Sequence, residues 1–135
     1  MLGRYAIHFH LNGPLLKSYV IGNAVHHSLA RITTLHGISH LRVFKNVGYF
    51  IHGHAIFIED GSETHNIIED NLVIKTIQVW TLVVTDVTAA AYWATHPYNT
   101  LRRNHAAGGD WFGFWYELFP MPQGPSSNPF IFPEG

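Results

Sequence analysis

The sequence predicts an all-β protein, a right-handed single-stranded parallel β-helix of about four to five rungs. Three observations carry this. Apolar pieces of strand length recur along the chain. Three of them end in Gly13, Gly37 and Gly61, at intervals of 24 residues. A second series carries Asn23, Asn46, Asn71 and Asn104, spaced 23, 25 and 33 residues apart. Strand-sized repeats of this period mark a solenoid in which each turn buries its apolar face against the next. A leucine-rich repeat has a similar period but needs a regular LxxLxL frame, which the sequence lacks.

The elements follow in order. "IHFHLNG" (7–13), "ITTLHG" (32–37) and "IFIEDG" (56–61) open successive rungs, and each closing glycine permits positive φ at a corner. "YVIGNAV", "LRVFKNV", "NIIEDNL" and "NTLRRNH" then supply a second strand and an asparagine turn. Val20, Val43, Ile68 and Leu101 each precede an Asn by three residues, which predicts an inward aliphatic column. The asparagines predict a hydrogen-bonded ladder that satisfies turn backbone groups. The long interval before Asn104 reads as one rung with an insertion over 77–98. Rungs are expected across 1–118, with a Pro- and Gly-rich loop or linker at 119–135. A solenoid this short exposes strand edges at both ends, so the chain reads as a fragment of a longer solenoid. Its expected partners are neighbouring rungs, with self-association as the alternative.

Composition narrows the function. The formal net charge is -1 over 135 residues, which gives no electrostatic case for nucleic acid. Eleven histidines outnumber the eight Lys plus Arg, so acidification adds much positive charge. The absence of cysteine excludes disulfides and thiolate metal sites. No apolar run is long enough for membrane insertion. No signal peptide is legible at the N-terminus, so an export signal is expected outside this chain.

"GRYAIHFHLNG" (3–13), "AVHHSLARITTLHG" (24–37), "GHAIFIEDGSETHN" (53–66), "NHAAGGDWFGFWYEL" (104–118) and "PQGPS" (122–126) occur in one order. Together they resemble the β-helical region shared by fibrocystin, fibrocystin-L and the cell-surface and secreted hyaluronidases related to transmembrane protein two. The resemblance spans about Gly3 to Ser126. It implies a large extracellular, often membrane-anchored protein. One branch binds or cleaves hyaluronan; the fibrocystin branch is receptor-like or structural. The stretch between Thr76 and Tyr98 is shorter than the hyaluronidase branch usually carries, which leans toward fibrocystin-L.

His8 and His10 stand two apart in a strand-like run, so they share one face, with Phe9 and Leu11 on the inward one. The repeat register predicts Asn12, His36 and Asp60 in one column and Leu11, Leu35 and Glu59 in the next. Imidazoles and carboxylates then meet on an outer wall. One reading is a glycosaminoglycan or other cell-surface glycan site. There His8, His10 or His36 would share acid and base work with Glu59 or Asp60. Arg4 would hold a sugar carboxylate, and His54, Trp111 and Trp115 would line the substrate. A divalent ion held by His and Asp is a second reading. A purely structural imidazole ladder is the third. The preferred assignment has no cofactor and no metal ligands. His26 and His27, adjacent on a strand, are expected to point in opposite directions.

Overall fold

The computed structural model describes residues 5–80 and 83–128. The first turn contains β1 (Ile7–Pro14), β2 (Tyr19–Ile21) and β3 (Ala24–Ser28). The second contains β4 (Thr33–Ser39), β5 (Arg42–Phe44) and β6 (Val47–His52). The third contains β7 (Ile56–Ile58), β8 (Ile67–Glu69) and β9 (Leu72–Ile77). The fourth contains β10 (Ala90–Ala94), β11 (Thr100–Arg102) and β12 (His105–Ala107), and β13 (Phe112–Tyr116) opens a further turn. Three parallel sheets run along the stack, ordered β1-β4-β7-β10-β13, β2-β5-β8-β11 and β3-β6-β9-β12. The chain is thus an all-β parallel solenoid of about four turns.

Val20 pairs with Val43, Val43 with Ile68 and Ile68 with Leu101, so the predicted aliphatic column exists. It joins Leu35, Ile56, Ile58 and Tyr92 from the first sheet and Ile51 and Val73 from the third in one core. The predicted asparagine ladder also exists. Asn23, Asn46 and Asn71 each donate a side-chain N–H to the next Asn Oδ1 at 3.0 Å. Asn46 and Asn71 also donate to the carbonyls of Val20 and Val43. A second, shorter ladder links Asn66 to Asn99. The residue before each ladder Asn turns the corner with positive φ: Gly22, Lys45, Asp70 and Arg103 in one column. Left-handed backbone costs a non-glycine residue roughly 1–2 kcal/mol, and the amide hydrogen bonds that follow it offset that strain.

The register departs from the sequence reading. His10 pairs with His36 and Phe9 with Leu35, while Gly13 pairs with Ile38. A bulge at Leu11 and Asn12, with Leu11 at φ 55, absorbs the extra residue. Phe9 packs on the core as expected, but Leu11 sits in the bulge rather than in a regular inward column. Between the second and third turns Leu35 pairs with Ile58, one place off the expected Leu35–Glu59 match. The equal glycine intervals therefore do not mark one column. The stretch 77–98 is not all insertion either: β10 lies inside it and pairs with β7 and β13. The extra residues fall between β9 and β10 and include a 3-10 turn at Val84–Thr88. His26 and His27 do not diverge. Positive φ at His27 brings their Nδ1 atoms to 3.0 Å.

Candidate functional site

The outer face of the first sheet gathers side chains from three turns. Alternation along β1 turns Phe9 inward and His8 and His10 outward. Pairing of β1 with β4 then sets His10 beside His36, with ring centroids 4.6 Å apart and the two Nδ1 atoms at 3.1 Å. The His8 ring lies 5.2 Å from that of His10 and 6.3 Å from that of His36. From the third turn, Asp60 Oδ2 accepts the His36 Nε2–H at 2.7 Å, and Glu59 Oε2 lies 3.4 Å from His36 Nδ1. His8, His10, His36, Glu59 and Asp60, all named from sequence, thus form one cluster.

Its electrostatics follow from burial and contact. Burial opposes charge on His36, but the hydrogen bond it donates to Asp60 and the charges of Glu59, Asp60 and Glu63 outweigh it and raise its pKa. Burial pushes the Glu59 carboxyl up, and His36 only partly offsets this. Burial also disfavours Asp60 charge, yet hydrogen bonds from His36 and Ser126 overcome it and pull Asp60 down.

Two supports were not legible in sequence. Glu63 is fully buried and accepts backbone N–H bonds from Gly37 at 2.7 Å, Gly61 at 2.8 Å and Asp60 at 3.1 Å. It ties the second turn to the third beneath the cluster. The segment after β13 folds back: Gln123 N–H bonds the Asp60 carbonyl and Ser126 N–H bonds Asp60 Oδ2. The only hint was a polar loop, "GSETHN", and a Pro-rich stretch.

The other expected contacts are dispersed. Arg4 lies outside the described residues. His54 is fully buried, a correction to its expected glycan contact. Its ring stacks on Phe57 at 5.3 Å and lies against Trp93, and its Nδ1 accepts the Ala90 N–H. Burial, reinforced by nearby Arg31, drives its pKa down to about 3. Arg31 is itself buried, stacked over Phe57 and ion-paired to Asp86 from the insertion. Trp115 packs with Trp93 and Phe112 in an apolar cluster separate from the core. Trp111 is half-exposed and lines a hollow of about 180 Å³ with Val73, Thr76 and Ala106, away from the imidazoles. No helix among the described residues is long and apolar enough to cross a membrane.

The fold and site define a parallel β-solenoid whose outer wall draws imidazoles and carboxylates from consecutive turns. The chain belongs to the CEMIP beta-helix family, whose model matches residues 1–133. It is 52% identical to mouse (Mus musculus) fibrocystin-L over 126 residues and 51% identical to the human (Homo sapiens) protein. It is 32% identical to the human cell surface hyaluronidase CEMIP2 over 159 residues. These alignments cover 93%, 93% and 94% of the chain but only 3%, 3% and 11% of the relatives. The 159 aligned positions exceed the length of this chain, so CEMIP2 carries extra residues within the matched region. The resemblance read from the five motifs is borne out.

Proposed function

We propose that this chain is the β-solenoid segment of an extracellular cell-surface protein of the fibrocystin-L kind, and that its imidazole wall recognises an anionic glycan without cutting it. Family membership and the likeness to the cell surface hyaluronidase CEMIP2 support the setting and the ligand class. One observation favours recognition over cleavage. His36 and Asp60 are each only 6% exposed, and their polar atoms are engaged with each other and with Ser126. An acid and a base must both reach the glycosidic bond. The groups that face solvent are His10 and, in part, His8 and Glu59. Arg4, at the start of the same segment, is proposed as a further carboxylate contact. Trp115 lies along the same sheet face and offers an apolar ring to a sugar.

A hydrolytic role is the second reading. The upward shift of Glu59 beside the downward shift of Asp60 favours it, because an acid and base pair divides in this way. The test is retention of the chain on immobilised hyaluronan, chondroitin sulfate and heparin in the presence of a chelator. A parallel incubation with high-molecular-weight hyaluronan is sized on a gel. Recognition predicts retention that His10→Ala weakens, with the polymer intact. Shortened polymer, abolished by Glu59→Gln, transfers the case to hydrolysis. The absence of both retention and cleavage overturns the glycan reading.

A further inference from the structure

We propose that His8, His10 and His36 bind one divalent cation of the zinc class. Each offers one ring nitrogen, and the three nitrogens lie within 4.8 Å of one another. A tetrahedral zinc ion with bonds of about 2.0–2.1 Å holds its ligand nitrogens about 3.3 Å apart. The Nδ1 atoms of His10 and His36, at 3.1 Å, already have that spacing. The third nitrogen has at most about 1.5 Å to close. His8 and His10, two residues apart on β1, and His36, the cross-strand neighbour of His10 on β4, make a three-sided nest, and the exposed side of His10 leaves a fourth position for water.

The surroundings are those of a metal-binding histidine. His36 donates its Nε2–H to buried Asp60 at 2.7 Å, which leaves the Nδ1 lone pair aimed at His10. A carboxylate behind a ligating imidazole fixes its tautomer and raises its basicity. Asp60 is in turn held by Ser126, and Glu63 fixes its turn. Glu59 and Asp60 supply negative charge beside the three rings, which suits a dication. Imidazole donors select zinc, nickel, cobalt or copper over calcium or magnesium, which prefer oxygen. The inference is independent of glycan recognition, because uptake is measured without glycan and retention is measured in chelator.

The experiment strips the purified chain with a chelator and titrates it calorimetrically with Zn²⁺ near neutral pH. Co²⁺ serves as a spectroscopic stand-in. The expected result is one equivalent bound, with the strong visible absorption of tetrahedral Co²⁺. His10→Ala, an exposed position, should weaken uptake at least about tenfold, and Asp60→Asn by about 10–100-fold, as loss of an outer-shell partner does. His26→Ala, in the exposed pair on β3, should leave uptake unchanged. Circular dichroism checks folding, and His10→Ala decides if Asp60→Asn unfolds. No stoichiometric uptake, or uptake kept by His10→Ala and lost by His26→Ala, overturns the proposal.

Discussion

Replacing Asn46 by alanine removes the middle of the asparagine ladder. The side-chain amide of Asn46 donates to the Val20 carbonyl and to Asn71 Oδ1, and its oxygen accepts from the backbone and side-chain N–H groups of Asn23. In the variant, Asn71 Oδ1 keeps the Asn46 backbone N–H, and the Asn23 side chain keeps the Ile21 carbonyl. The Val20 carbonyl and the Asn23 backbone N–H are left without these partners. Val20 is buried and Asn23 is exposed. An orphaned buried group costs about 1–3 kcal/mol, an exposed one much less. Adding the small void left by the amide, the loss is about 2–4 kcal/mol, a large share of a typical domain's stability. With a urea slope of about 1–3 kcal/mol per molar, the unfolding midpoint falls by roughly 0.7–4 M. Asn23→Ala, at the exposed end of the ladder, should cost under about 1 kcal/mol. A midpoint for Asn46→Ala within error of the parent, or a larger loss for Asn23→Ala, refutes the ladder as a source of stability.

Two further outcomes follow from the core. Val43→Asp places an unpaired carboxylate at a fully buried site and should cost several kcal/mol, enough to abolish the cooperative thermal transition; melting like the parent refutes the inward column. His54 is neutral in the fold, with its pKa lowered to about 3 by burial, then by Arg31. Below about pH 6.5 only the unfolded chain takes up that proton, so stability falls as pH falls through this window and is fully present above it. The urea midpoint should therefore drop between about pH 7 and pH 5. His54→Asn, whose Oδ1 keeps an acceptor for the Ala90 N–H at the Nδ1 position, should flatten this dependence; an unchanged slope refutes the assignment.

The solenoid was legible because its two defining columns are short-range periodic. Val20, Val43, Ile68 and Leu101 repeat with their asparagines at fixed offset, and stacking converts that offset directly into contact. The five wall residues were legible as types on one face, since alternation along β1 and the "IEDG" corner bring them to the same side of the sheet. Their pairing was not. A bulge at Leu11 bears no glycine signature, because the left-handed position is filled by leucine. The burial of His54 depends on Asp86, which arrives from the insertion 32 residues later and also accepts the His54 backbone N–H. Nothing local in "IHGHAIF" carries that contact. Glu63 reads as a solvated loop acid until the backbone N–H groups of Gly37, Asp60 and Gly61 are seen to converge on it.

The central claim is that three turns converge on His36, with Asp60 behind it and His10 before it. Side-chain ¹⁵N NMR of the imidazoles across a pH series tests this most directly. Burial lowers the pKa of His36, but its bond to Asp60 and the charges of Glu59, Asp60 and Glu63 prevail, so it should titrate above 6.5. Its Nε2 proton should persist in the neutral form, shared with Asp60. Its contribution to stability is then fully present below the unfolded value and lost as pH rises through the folded one. Asp60→Asn should move the titration downward. A His36 that titrates at or below 6.5, or that is indifferent to Asp60→Asn, would contradict the account.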